Sequence, residues 1–271
     1  MISAMTGLSA GSHTVRRAGM APLRWLTGWW RIIFFGASLL VLAVSPASWR
    51  ADNRHALMRH LYLDTAPILP WFTALCALLT LVITRIVVVT ALSYGLSRYA
   101  LEMVIRVLVL ELIPLTAALF VALRCTIPNG AALAEMRRIG HFDALLRRGI
   151  DPVVTQALPR ALAGIFATIT LAALSCVVAL VLAYFAVYGW TAAGAAAYTH
   201  VFGHVFNPAV ALIFVLKTVF FSLAVSIIPM ASGLYDVEGD GSRESAALQG
   251  LVRMFAVLLV LEAASLAGNY A

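Results

Sequence analysis

Five apolar stretches, each long enough to cross a lipid bilayer, constrain this chain more than any motif in it. A helix needs about 20 predominantly apolar residues to cover the hydrocarbon layer. Ala66–Leu92, Leu101–Leu123, Ala161–Tyr188 and Ala209–Leu234 reach that length, and Ala246–Gly268 does so with only Gln249, Arg253 and Glu262 interrupting it. Over the whole chain 62% of residues are hydrophobic and 11% charged, an apolar surplus too large for one water-facing core to bury. The bilayer is therefore the solvent, and inside it backbone polar groups must find partners within the chain, which selects helices for runs of this length. The expected fold class is an all-α polytopic membrane protein with five transmembrane helices.

The net charge of +7 does not point to nucleic acid, because 18 of the 19 basic residues are arginines distributed near the ends of apolar runs. Arg50, Arg54 and Arg59 precede the first run, six arginines lie between Arg124 and Arg160, and Arg243 follows the fourth run. The opposite connections hold Arg98 and, from Gly189 to Asn207, no Lys, Arg, Asp or Glu. Cytoplasmic loops retain arginine, so the N-terminus and the Arg124–Arg160 island are expected inside and the C-terminus outside. Residues 1–20, short and poor in acid, read as a disordered cytoplasmic tail. Residues 21–64 read as N-terminal interfacial amphipathic helices, since Trp25, Trp29 and Trp30 beside Arg24 and Arg31 favour the headgroup level. A sixth span over Ile32–Trp49 is the alternative, and residues 65–271 form the five-span domain. Cys76, Cys125 and Cys176 are odd in number and in no CxxC spacing, as expected of buried small hydrophobes with no disulfide framework and no metal site.

The island between the second and third spans has helical spacing. Leu133, Met136, Ile139, Phe142 and Leu146 recur at three- and four-residue steps, with Arg137, Arg138, Arg147 and Arg148 largely off that stripe. A cytoplasmic amphipathic helix over 131–148 is expected, a shape suited to docking. Arg85, Arg106, Glu111, Lys217 and Glu262 fall inside spans, where an ionised group costs roughly 2.5 to 3.5 kcal/mol and needs a partner or a wet cavity. Lys217 and Glu262 each sit roughly 9 to 12 Å from the outer ends of their helices, so they are expected to pair, either as a structural bridge or as part of a transport path. Glu102 and Arg106, four apart, form a local pair. Glu111 precedes Pro114, which frees a backbone carbonyl, and lies opposite the stripe Ile83, Val87, Thr90 and Tyr94. That arrangement suits a cavity for an amphiphile; ordinary helix packing is the competing reading. The HVFGH of His200 and His204 lacks the glutamate of a zinc protease, no GxSxG is present, and Lys217, the only lysine, has no P-loop around it. No cofactor is expected in this chain.

Together these segments resemble the MlaE-type permease family, the membrane subunits of ABC systems that move lipids between bacterial membranes with MCE-domain proteins. The resemblance runs from about Ala47 to the C-terminus. It is carried by Glu111, Leu112 and Pro114 in ELIP, by Arg124 and Met136, by FDAL at Phe142–Leu145, by GIDP at Gly149–Pro152, and by Pro159 with Arg160. Lys217 matches a family lysine, Glu262 stands where the family has aspartate, and Tyr94 matches a tyrosine near the outer end of the lipid pocket. The chain departs from the pattern at Leu110, where the family has arginine, at Ile86, where it has glutamine, and at Ala132, where it has glutamate. RCTIPNG also replaces the small-residue RxGSA after the second span.

The resemblance implies a homodimer whose first and second spans enclose a lipid cavity, with Ile83, Val87, Thr90, Tyr94, Glu111 and Leu112 lining it. It implies that 131–148 is a coupling helix seated on a separate ABC ATPase, which binds the ATP and Mg. Met136, Arg137, Arg138, Phe142, Asp143 and Leu146 are the expected contacts. Other implied partners are phospholipid, a periplasmic MCE-domain protein and, as an additional subunit in some systems, a small STAS-domain protein; nucleic acid is not among them. The location implied is the bacterial inner membrane, and the role is the permease subunit that maintains outer-membrane lipid asymmetry, not an enzyme. Two readings compete: an ion-coupled secondary transporter using Lys217, Glu262 or Glu111, and a degenerate membrane scaffold in which Leu110, Ile86 and Ala132 mark lost function.

Overall fold

A computed structural model describes residues 21–49, 51–95, 97–235 and 243–270. The tail expected over 1–20 lies outside the described residues. All regular structure among the described residues is helical, as the need to satisfy backbone groups in lipid demands. The elements are α1 (Ala21–Val44), α2 (Ala51–Thr65), α3 (Leu69–Ser93), α4 (Ser97–Val104), α5 (Ile113–Val121), α6 (Ile127–Arg138), α7 (His141–Arg147), α8 (Leu158–Tyr188), α9 (Ala195–Val205), α10 (Pro208–Tyr235) and α11 (Arg243–Tyr270). The five expected apolar runs appear as α3, α4–α5, α8, α10 and α11, with ends within a few residues of those read from the sequence.

A sixth helix joins them. Leu26–Val44 is also long and apolar enough to cross a membrane, by length and composition. The tryptophans and arginines that suggested an interfacial helix occupy only its first turns; from Ile32 to Val44 no charge interrupts it. Ile32, Phe35 and Leu39 are buried against the bundle, Phe35 meets Tyr235 edge-on at 5.9 Å, and Arg31 donates to Tyr235 O at 3.2 Å. α1 is thereby fastened along α10.

The second span is not a uniform α-helix. Its winding widens to a π-helix at Ile105–Leu112 and again at Ala122–Thr126, and a third π segment, Val153–Ala157, opens α8. Each is followed by a proline at the second position of the next α-helix: Pro114, Pro128 and Pro159. Proline has no N–H for the carbonyl four residues back, and the wider turn bonds over five residues instead, as Ile113 N does to Leu108 O.

Small residues bring the helices close where they cross. A Cβ on Gly130 of α6 would lie 2.7 Å from Pro229 O of α10, and one on Gly233 would collide with Gly130 O. Gly164 of α8 meets Ser226 of α10, and Gly250 of α11 meets Ser232 in the same way. Apolar side chains gain little from meeting each other instead of lipid tails, so close backbone approach supplies the packing energy. On the far side of the bundle, α9 docks through Tyr198, whose hydroxyl donates to Leu180 O at 2.9 Å. Burial, with Tyr188 nearby, pushes its pKa up to about 12, so it stays a neutral donor across the physiological range.

Gly233→Val is expected to force α6 off α10 and to cost about 1 to 3 kcal/mol, lowering the thermal unfolding midpoint of the detergent-purified protein. Gly203→Ala, in α9 with nothing within 4 Å of the added Cβ, is expected to leave that midpoint unchanged or slightly raised.

Candidate functional site

Three features bear on function: a buried cluster of charges, a basic hairpin at one end, and an open face of α3. The cluster forms because Lys217, an ammonium in the middle of α10 and only 4% exposed, has to find its partners inside the protein. Its Nζ lies 2.8 Å from Glu262 Oε2 on α11 and also donates to Glu111 Oε2 in the first π segment. It reaches Leu110 O at 3.3 Å as well. Leu110 is four residues before Pro114, so α winding would leave its carbonyl without a backbone donor, and Lys217 supplies one. Asn269 Nδ2 donates to the other oxygen of Glu111 at 3.1 Å. Two carboxylates thus face one cation, and three elements distant in sequence are tied at one point.

This arrangement extends the pair anticipated for Lys217 and Glu262 and relocates Glu111. Instead of facing Thr90 and Tyr94 across a cavity, Glu111 is 8% exposed and turned toward α10 and α11. Asn269 is the member the sequence reading missed. Its signal was the spacing Glu262, Ser265, Asn269, which places three polar residues on one face of an otherwise apolar helix.

The remaining lipid-cavity candidates divide between the core and the surface. Ile83, Val87 and Leu112 pack together against the core formed around Leu108 and Val109. Thr90 and Tyr94 are exposed near the end of α3, Tyr94 at 76%. A hollow of about water size lies elsewhere, between Trp49, Leu57, Leu158 and Leu162.

At the opposite end of the second span the expected helix over 131–148 is two helices. α6 continues the span itself, and Gly140, at φ 73°, turns the chain into the short α7. Only glycine takes that left-handed conformation without cost, so the break is written at residue 140, although the apolar spacing runs through it. The stripe divides accordingly. Leu133 is fully buried against α10, Met136 and Phe142 are half-buried, and Ile139 and Leu146 are 65% and 58% exposed. Arg137 and Arg138 separate too. Arg137 Nη1 donates to Leu234 O at the end of α10 and its guanidinium lies 6.0 Å from the Tyr235 ring centroid, a cation at a helix C-terminus where the macrodipole favours it. Arg138 faces outward, paired with Glu135 at 2.6 Å. Asp143 is exposed in the first turn of α7.

The base of this hairpin is bound to α2 and α8. Asp64 accepts from Asn129 Nδ2 at 3.1 Å and its carbonyl accepts from Cys125 Sγ at 3.3 Å; both donors come from the RCTIPNG stretch. Arg160 is 7% exposed and donates to Gln156 O at 2.8 Å. In GIDP, Asp151 Oδ1 caps Val153 N at 2.8 Å and starts the third π segment. Of the histidines in HVFGH, His204 Nδ1 lies 3.9 Å from Glu102, which is also bound to Arg106 at 3.0 Å.

Among the described residues, an all-helical bundle with six helices long and apolar enough to cross a membrane, a buried charge cluster and a hairpin displayed at one end defines a multi-pass membrane protein. The family profile for the permease MlaE matches residues 57–267, which is most of the chain, and the protein belongs to that family. It is accordingly a membrane permease component of a lipid-transport ABC system. No curated protein matches the chain.

Lys217→Met is expected to strand two buried carboxylates and cost about 3 to 5 kcal/mol, whereas Glu262→Gln leaves one carboxylate for one lysine and costs less than about 1 kcal/mol. Thermal unfolding of the two variants in detergent reads the difference, and an equal loss in both contradicts the shared-cation arrangement.

Proposed function

We propose that this chain is the dimeric permease subunit of an ATP-driven transporter that passes phospholipid between the inner membrane and a periplasmic MCE-domain protein. The observation that carries the reading is the hairpin α6–α7. Its inner half is locked into the bundle by Leu133 and Arg137, while its outer half offers Ile139, Leu146 and Arg138 to whatever lies beyond. A rigid lever with an apolar and basic tip suits a groove on a separate ATPase, and the chain's single lysine is occupied in the membrane and outside any P-loop. Arginines retained at that end support a cytoplasmic hairpin. Because α10 ends against α6 at Arg137 and α11 then runs back along α10, the C-terminus belongs on the periplasmic side.

The ion-coupled alternative requires the charge cluster to exchange ions with water. The Lys217 side chain is 1% exposed and holds both carboxylates, an arrangement suited to a structural lock. The scaffold alternative draws on Leu110, Ile86 and Ala132; at Ala132, exposed on α6, the hairpin keeps its shape without a glutamate, with Glu135 bound to Arg138 instead.

The test is co-reconstitution of this chain with its cognate ATPase in proteoliposomes. Lipid transfer to an acceptor is expected to require ATP and the ATPase; transfer by this chain alone down an ion gradient overturns the proposal. Leu146→Asp, at an exposed position, is expected to weaken ATPase binding about tenfold or more while the thermal midpoint of the isolated permease stays constant. Arg137→Glu is expected to lower that midpoint, because it removes the link to α10.

A further inference from the structure

Arg85 lies within a face of α3 that no other part of the described chain covers. Trp71, Leu75, Leu78, Val82, Ile86 and Val89 recur along that face, each about half exposed or more, and Arg85 is exposed among them. The opposite face, with Phe72, Cys76, Thr80 and Thr84, is buried. α3 has 25 residues and is about 37 Å long, so a hydrocarbon layer of about 30 Å placed anywhere along it leaves the Arg85 backbone roughly 6 to 13 Å below the nearer surface. A guanidinium at that depth needs a partner or has to reach back toward the headgroup level.

The protein does not provide one among its described residues. Glu111 and Glu262 are bound to Lys217, and Glu102 to Arg106; no ion pair or hydrogen bond reaches Arg85. A second copy brings the same carboxylates, already engaged, so pairing of two copies along this face adds another cation and no free acid. The remaining anion native to a bilayer is a lipid phosphate, which the planar fork of arginine holds through two parallel hydrogen bonds.

We propose that Arg85 binds the phosphate of a glycerophospholipid headgroup against the open face of α3 and sets this chain's preference for phosphate-bearing lipids. Its role in transport rests on the permease function proposed above, but the binding itself does not. The test uses the full chain purified in detergent and titrated with dioleoyl-phosphatidylglycerol or dioleoylglycerol, lipids with the same acyl chains that differ in the phosphate headgroup. Native mass spectrometry is expected to show saturable binding of one phosphatidylglycerol per copy, about tenfold tighter than dioleoylglycerol. Arg85→Gln and Arg85→Met are expected to abolish the preference, and Arg85→Lys to keep most of it. Equal binding of the two lipids to the parent, phosphatidylglycerol binding that never saturates, or an unchanged preference in Arg85→Gln overturns the proposal. The thermal midpoint of each variant is expected to match the parent, since residue 85 is exposed; a lowered midpoint with the preference intact counts against the proposal too. No ATPase enters this assay, so headgroup preference without ATP-driven transfer overturns the permease reading alone, and transfer without the preference overturns this inference alone.

Discussion

A lone ammonium in a medium that offers it no water organises much of this protein. Lys217 has to be neutralised where it stands, and the groups that do so come from the first π segment and from α11. Electrostatic attraction is strong in such surroundings and the alternative, an unpaired buried charge, is costly. The second span, α10 and α11 are therefore held at one point inside the bundle, and motion of any one of them relative to the others has to carry or break that point. A permease that changes shape under an external motor needs parts that move as a unit, and this cluster defines one.

The same economy shapes the helix crossings. Lipid tails solvate leucine as well as another leucine does, so the bundle gains from removing side chains where helices meet: Gly130 on Gly233, Gly164 on Ser226, Gly250 on Ser232. The α6–α10 crossing lies beside the contact of Arg137 with Leu234. The hairpin that leaves Ile139 and Leu146 exposed is thus joined to the helix that carries Lys217 by backbone contact and one arginine. A force applied at α7 meets a stiff connection into the membrane, which is the property a coupling element requires.

The departures from the family pattern acquire physical content in this frame. RCTIPNG supplies Cys125 and Asn129 as donors to Asp64, so it links α2 to the base of the hairpin. Leu110 fills a core position while its carbonyl serves Lys217. Ile86 lies on the open face of α3 next to Arg85. Each departure has a place in a packed or membrane-facing arrangement, and none leaves an orphaned charge among the described residues of the core.

Much was legible in the chain alone, because the bilayer reduces the choices. Apolar length announced the helices, arginine at their ends suggested an inside and an outside, and a lysine and a glutamate in lipid demanded each other. Pro114 signalled disturbed winding, but not that the backbone would widen into π turns before it and again before Pro128 and Pro159, since proline specifies only which hydrogen bond is missing and the neighbouring helices decide what replaces it. Gly140 was visible too, yet the apolar spacing on either side suggested one helix through it, because periodicity records a face and not the path of the backbone. Which cation Glu111 would join, that Arg137 would be held inside while Arg138 faced out, and that Asn269 would complete the cluster were decided by tertiary structure alone. Those outcomes depend on helix rotation and crossing, and rotation is set by the fit of small residues between helices up to about a hundred positions apart.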